Sequence, residues 1–372
     1  MLVGVLTGLH PGTHRYKDWS GVSGAAYRRD VTVTMSEQDF LALVQPLRRE
    51  LLAHCYRMVG SLHEAEDLVQ ETYLRAWRAF HGFEGRASVR TWMYRIATNT
   101  CLTAIEAAPR RPLPTGLGTA PSDPEGAIHT RPEVTWLEPV PDAVLWTDAE
   151  PDPSAVVVDR ETVRLAFVAA LQHLTGQQRA VLLLRDVLAW HADEVADVLG
   201  LSVGAVTSTL QRARAHLARV QGQQPEALRA DDPRIATLLE EYVAAFEAYD
   251  VDRIVALLTA DATWDMPPFE EWFVGAEDIG RLIRTQCPAQ GPESMRLRPT
   301  RANGGAPAFG LYMLGPDGVH RAFQLHVLTP TADGVAAVTA FFDTSLFPAF
   351  GLPMELPVEA GVGRGAGHAA IG

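Results

Sequence analysis

The run Ser61–Ile105 constrains this chain more than any other segment. It joins an acidic stretch, SLHEAEDLVQETYLRAW, to a basic and aromatic one, SVRTWMYRIATNTCL, through the loop FHGFEG. Ser61 followed by Glu64 is a capping-box signature and predicts a helix start. Leu68, Val69, Leu74, Trp77 and Phe80 recur at helical spacing and predict a buried stripe. Asp67, Gln70 and Glu71 then share the outer face, with Glu71 and Arg75 as an i,i+4 pair. Taken alone, such a face reads first as an ordinary solvated surface, with a docking surface for a protein as the alternative.

The second stretch has Ser88 as N-cap. At 100° per residue, Val89, Trp92, Met93, Ile96, Ala97, Thr100 and Ala104 fall on one side. Arg90, Thr91, Tyr94, Arg95 and Thr98 fall on the other, with Asn99 at the edge. Arginines suit phosphates and aromatic side chains stack on unpaired bases, so an exposed stripe of this kind fits single-stranded nucleic acid. Gly82 and Gly85 bend the preceding loop, which fits capture of a base turned out of its stack. An ordinary surface helix is the competing reading.

At 372 residues the chain has room for two or three domains with ample core. No apolar run approaches the length of a membrane span, and MLVGVLTGLH lacks the basic residues of a signal peptide. Cys55, Cys101 and Cys287 are scattered, without metal spacing or a disulfide framework, which fits a reducing cytoplasm. No cofactor motif is present. The net charge of −13 argues against non-specific nucleic-acid binding. It is unevenly placed: residues 46–111 carry ten basic and seven acidic groups, whereas 222–372 carry ten basic and twenty acidic. Any DNA contact must therefore come from local stripes.

The pattern divides the chain. Residues 1–35 lack periodicity and read as a disordered extension, with Met35 as an alternative natural start. Residues 36–107 read as a helical domain, and 108–153 as an acidic, Pro-rich linker containing TWLEPVPD, a cluster that calls for a surface to dock on. Residues 154–221 are helical again, with Thr175 and Gln178 as a second capping box. Asp193–Leu199, a turn at Gly200–Ser202 and a helix from Val203 make a helix-turn-helix, with Ala196, Leu201, Val206 and Leu210 inside and Ser202 as cap. Thr207, Ser208, Gln211 and Arg212 lie on one face for a major groove, and Arg214 and Arg219 suit phosphates. Residues 234–350 read as two helices, a third helix between the first two strands, and a curved antiparallel sheet, an α+β domain. Residues 351–372 are Gly-rich and are expected to be disordered.

These blocks together resemble the extracytoplasmic-function (group IV) sigma factors of the sigma-70 family. The order and spacing of DLVQETYLRAW, FEGRASVRTWMYRIATNTC and DEVADVLGLSVGAVTSTLQRAR carry the resemblance. TWLEPVPD, PLPTGLG and AFEAYDVDR look closest to the SigG-like branch. The resemblance implies a multidomain fold: two all-α sigma domains, a region 2 bundle and a region 4 helix-turn-helix, followed by an α+β SnoaL-like cone domain. It implies a factor that binds core RNA polymerase, recognises −35 and −10 promoter elements and promotes strand opening, without catalysis of its own. On this sequence it puts Asp67, Gln70 and Glu71 against the clamp helices of the polymerase largest subunit. It puts Phe83, Glu84, Arg86, Ser88, Arg90, Tyr94, Arg95 and Asn99 on −10 DNA, and Ser202, Thr207, Ser208, Gln211, Arg212 and Arg214 on −35 DNA. Relatives often carry arginine where Thr207 and Thr209 stand, so the −35 sequence does not transfer. The cone fold implies a pocket for a small ligand, with Trp264, Asp265, Met266, Trp272, Tyr312, Gln324, His326, Phe341 and Asp343 as candidate liners and Asp–His acid–base chemistry as a minor alternative. A one-component DNA-binding regulator with a ligand-binding tail, or a SnoaL-like small-molecule enzyme, are the competing functions; both leave Ser61–Ile105 unexplained. The need for an anti-sigma partner is not legible.

Overall fold

The computed structural model describes residues 37–80, 82, 83, 85, 87–107, 110–146, 160–221, 227, 228 and 232–357. The expected extension 1–35, Glu84 and Arg86 of the loop, and residues beyond Pro357 lie outside the described residues. The chain forms two compact units: residues 1–116 with 133–224, and residues 117–132 with 225–372. The linker is thus divided between them.

The first unit is helical. Helices α1 (Glu37–Val44), α2 (Arg48–Val59), α3 (Leu62–Phe80) and α4 (Val89–Ala107) make a bundle. A second set, α5 (Leu165–Leu171), α6 (Gly176–Leu182), α7 (Ala192–Leu199) and α8 (Val203–Gln221), makes the helix-turn-helix block. The local signals act as read. The Thr175–Gln178 box closes at the start of α6, Ser88 Oγ accepts from Thr91 N at 3.0 Å, and Ser202 Oγ from Ala205 N at 3.2 Å. The Ser61 box closes by half. Ser61 Oγ accepts from Glu64 N at 3.1 Å, but the Glu64 carboxylate turns to Arg111 at 2.5 Å.

Its place is taken from the linker. Glu138 Oε2 accepts from Ser61 Oγ at 2.9 Å, Leu62 N at 3.0 Å and His63 Nδ1 at 3.1 Å. A carboxylate there satisfies orphan N–H groups and meets the positive end of the helix dipole. Tyr56 OH donates to Glu138 O at 2.7 Å, and Leu137 beside it is fully buried. Gly60, in the left-handed region at φ +74°, ends α2 here. A Cβ at that position would lie 2.7 Å from Leu137 Cδ1 and 3.0 Å from Gln172 Nε2, so the close approach needs glycine as much as the turn does.

In the second unit, α9 (Pro233–Glu247), α10 (Val251–Leu257) and α11 (Ala276–Gln286) pack on a sheet of β1 (Leu258–Asp265), β2 (Trp272–Val274), β3 (Met295–Ala302), β4 (Ala306–Leu314), β5 (His320–Thr331), β6 (Gly334–Phe341) and β7 (Glu355–Leu356). The strand order is β2-β1-β6-β5-β4-β3, with β7 on β5. The α+β expectation holds, but the sheet is mixed: β1 runs parallel to β6. The expected disordered tail is also shortened, because Arg321 and His320 pair with Glu355 and Leu356. Linker residues 119–131 strap this unit. Trp272 Nε1 donates to Thr119 O at 3.2 Å, Glu270 N to His129 O at 3.0 Å, and Gln286 Nε2 to Gly126 O at 3.0 Å.

Candidate functional site

On α3, Asp67 and Gln70 are exposed and Glu71 half-buried, with Arg75 Nε donating to Glu71 at 2.7 Å. The opposite side buries Leu68, Val69, Thr72, Tyr73, Ala76, Trp77 and Phe80. Leu74 is only half-buried; Tyr73, whose hydroxyl donates to Val44 O at 3.2 Å, fills the stripe instead. The acidic triplet is therefore presented on a helix anchored by its other face.

The basic helix α4 departs from the sequence reading at two positions, Tyr94 and Thr98. Ser88, Arg90, Arg95 and Asn99 are exposed, but Tyr94 is 1% exposed. Its hydroxyl donates to Glu50 Oε2 at 3.1 Å, and its ring meets His54 at 5.2 Å and Trp190 at 5.9 Å. Burial, reinforced by the Glu50 charge, pushes its phenol well above the usual tyrosine range. Thr98 is buried against His54 Nε2 at 3.0 Å, and burial lowers that imidazole to about 3. The helical wheel misplaces Tyr94 and Thr98 because α4 is covered from two directions, by α2 and by the segment before α7. Arg90 also donates to Glu50, at 2.7 Å, and lies over the Tyr94 ring. Phe83 holds the loop on Trp92, with centroids 4.8 Å apart. Glu50 and Trp190 were not singled out in the sequence, since nothing local marks a contact across 40 or more residues.

In the helix-turn-helix, Gly200 adopts φ +65° and Leu201 N donates to Ala196 O at 2.9 Å. Val206 and Leu210 are buried, Thr207, Gln211, Arg212 and Arg214 exposed and Ser208 half-buried. Thr209 is buried, so it packs rather than reads bases. Thr207 and Ser208 hydroxyls donate to their own helix at 3.0 and 3.1 Å. Arg214 is held by both oxygens of Asp186, at 2.8 and 2.6 Å.

Of the nine candidate liners of the cone, Trp264 and His326 meet, with ring centroids 5.5 Å apart. Trp264 and Met266 belong to a filled core with Tyr242, Phe246 and Phe309. His326 joins it, accepting from or donating to Tyr242 OH at 2.8 Å through Nδ1, and burial lowers it to about 3. Asp265 is buried, but strand alternation turns it away from Trp264. Tyr312 faces Phe347 and donates to Pro353 O at 2.9 Å; Phe341 alternates away from core Ala340. Trp272 is held by the linker strap, Gln324 is buried, and exposed Asp343 caps the turn Thr344–Phe350. Residues adjacent along strands alternate between two faces.

Residues 43–111 match the model of sigma-70 region 2, 164–217 that of sigma-70 region 4, and 239–327 that of the SnoaL-like domain. A region 2 bundle followed by a region 4 helix-turn-helix defines a sigma factor, and the chain belongs to the ECF RNA polymerase sigma factors. As such it binds core RNA polymerase and promoter DNA for transcription initiation. Within that family it is 60% identical over 319 residues to ECF RNA polymerase sigma factor SigG of Mycobacterium tuberculosis strain H37Rv, covering 86% of this chain and 85% of that one. SigJ of the same organism is 30% identical over 336 residues, covering 87% and 97%. The crystal structure of M. tuberculosis SigJ matches with a TM-score of 0.56 at 25% identity, covering 84% of this chain and 99% of that one. Region 2 accounts for Ser61–Ile105, which the regulator and enzyme readings leave unexplained. No described helix is long and apolar enough to cross a membrane.

Proposed function

We propose that Asp67, Gln70 and Glu71 dock on the clamp helices of core polymerase in the cytoplasm. Phe83, Ser88, Arg90, Arg95 and Asn99 then meet the −10 strand, with Glu84 and Arg86 completing the loop around a flipped base. Ser202, Thr207, Ser208, Gln211 and Arg212 read the −35 groove, and Arg214 takes a phosphate. The modules are residues 36–107, 154–221 and 234–350. The observation that carries this reading is the position of Asp67, Gln70 and Glu71 on the outer face of a helix whose opposite face packs into the bundle.

Tyr94 enters differently. In the free chain it is buried and shares Glu50 with the exposed Arg90, so its use on DNA requires Trp190 and the region 4 block to move away. The tail tunes this step and is not catalytic. The direct test is binding of Gln70→Ala and Glu71→Ala chains to core polymerase. Lost binding with an unchanged fold is expected, and wild-type affinity would remove the assignment. For the tail, a chain ending at Gly222 should differ from full length in promoter-specific transcription; equal activity would remove its tuning role.

A further inference from the structure

A cavity of about 270 Å³ opens within the first unit, where α2–α4 meet the start of the region 4 block. Its walls include Arg110, Arg111, Arg179, His173 and Glu64. Three guanidinium groups face one carboxylate, an excess of two positive charges. Arg179 is 3% exposed, and among the described residues no carboxylate pairs with it. Among the described residues it donates to neutral oxygens: Met58 O, Leu171 O at 3.0 Å, Gln172 Oε1 at 3.0 Å and Leu174 O at 3.2 Å. Burial lowers it to about 10, with Arg110 and Arg111 adding repulsion. Arg111 spends one nitrogen on Glu64, while its buried Nε has no hydrogen-bond partner. Arg110 is exposed, donating to Gly116 O at 2.6 Å with His173 Nδ1 at 3.2 Å. A buried guanidinium such as Arg179, with two further guanidinium groups on the same cavity wall, is costly unless a counter-charge lies near it.

We propose that this cavity binds a small phosphate-bearing anion, held by Arg110 and Arg111 beside the fixed charge of Arg179. Guanidinium forks match phosphate oxygens in charge and geometry. The volume is just below the roughly 300 Å³ at which pockets for drug-sized ligands begin, which suits inorganic phosphate, pyrophosphate or a nucleoside monophosphate and excludes a peptide segment. None of the three arginines belongs to the proposed polymerase or promoter surfaces. Because the walls come from both helical blocks, an occupant stabilises their packed arrangement, the one that buries Tyr94 under Trp190. The site is thus a ligand-controlled brake on opening.

The test is calorimetric titration of the full chain with phosphate, pyrophosphate and guanosine monophosphate in about 150 mM KCl, where exposed charges are largely screened. Saturable binding to one site is expected. Arg110→Gln should weaken it about tenfold, the usual effect of one charge-assisted bond, and Arg110→Gln/Arg111→Gln should abolish it. Thermal unfolding of each variant without ligand verifies folding. Tighter binding of the nucleotide than of phosphate assigns the site to nucleotides; equal binding assigns it to phosphate itself. No saturable binding of any probe by the wild type, or wild-type affinity in a folded Arg110→Gln chain, would overturn the proposal.

Discussion

Replacing Glu138 with Ala tests whether the linker acts as a structural part of region 2. The side chain is 23% exposed and accepts from Ser61 Oγ, Leu62 N and His63 Nδ1 within 3.1 Å. Loss of an N-cap acceptor costs about 1 kcal/mol, loss of a hydrogen bond to a charged group about 1.5–3 kcal/mol, and loss of the dipole interaction about 0.3–1 kcal/mol. One carboxylate supplies all three, so they do not add, and a total of about 2–3 kcal/mol is expected. In a unit of 150–250 residues each kcal/mol shifts Tm by about 2–4 °C, which gives a drop of about 4–12 °C. Glu138→Gln keeps an acceptor and loses the charge, so about 1 kcal/mol is expected. Urea unfolding gives the free energies, and hydrogen exchange at Leu62 and His63 gives the location: both amides should exchange faster. An Ala variant within about 0.5 kcal/mol of wild type, the range of ordinary surface substitutions, would refute the capping argument and reduce the TWLEP contact to incidental packing.

Three further outcomes follow from the same geometry. Gly60→Ala forces a non-glycine residue to φ +74° and against Leu137. A loss of about 2–4 kcal/mol is expected by chemical denaturation, and a neutral result would deny the close approach. His326, held neutral to about 3 in the fold, takes up a proton below about 6.5 when unfolded. The depressed histidine therefore removes stability as pH falls, by up to about 1.4 kcal/mol per unit between about 6 and 3. His326→Gln, which preserves a partner for Tyr242, should flatten that slope in urea titrations at pH 7 and 5, and parallel slopes would contradict the assignment. Glu50→Gln frees Arg90, a partly exposed pair of the strength of surface ion pairs, about 0.2–1 kcal/mol. Holoenzyme should bind −10 DNA up to about fivefold more tightly by anisotropy, and weaker binding would place Glu50 on the side of recognition.

Short-range signals in the sequence determined a great deal of this protein. The Thr175–Gln178 box, the Ser88 and Ser202 caps, the acidic outer face of α3 and the helix-turn-helix all rest on residues within a turn or two of each other, where spacing alone sets geometry. Region order was legible for the same reason. What tertiary structure alone decided involves partners far apart in the chain. Glu138 displaced Glu64 from the cap of α3 because a carboxylate 77 residues from Ser61 reaches it. Tyr94 is buried because α4 is covered twice, which a helical wheel with one wet side does not represent. The parallel pairing of β1 with β6 joins the first long strand to the last, and the candidate liners of the cone separated because alternation along each strand sends neighbours to opposite faces. Local chemistry names the elements; which faces stay wet depends on what else the chain brings against them.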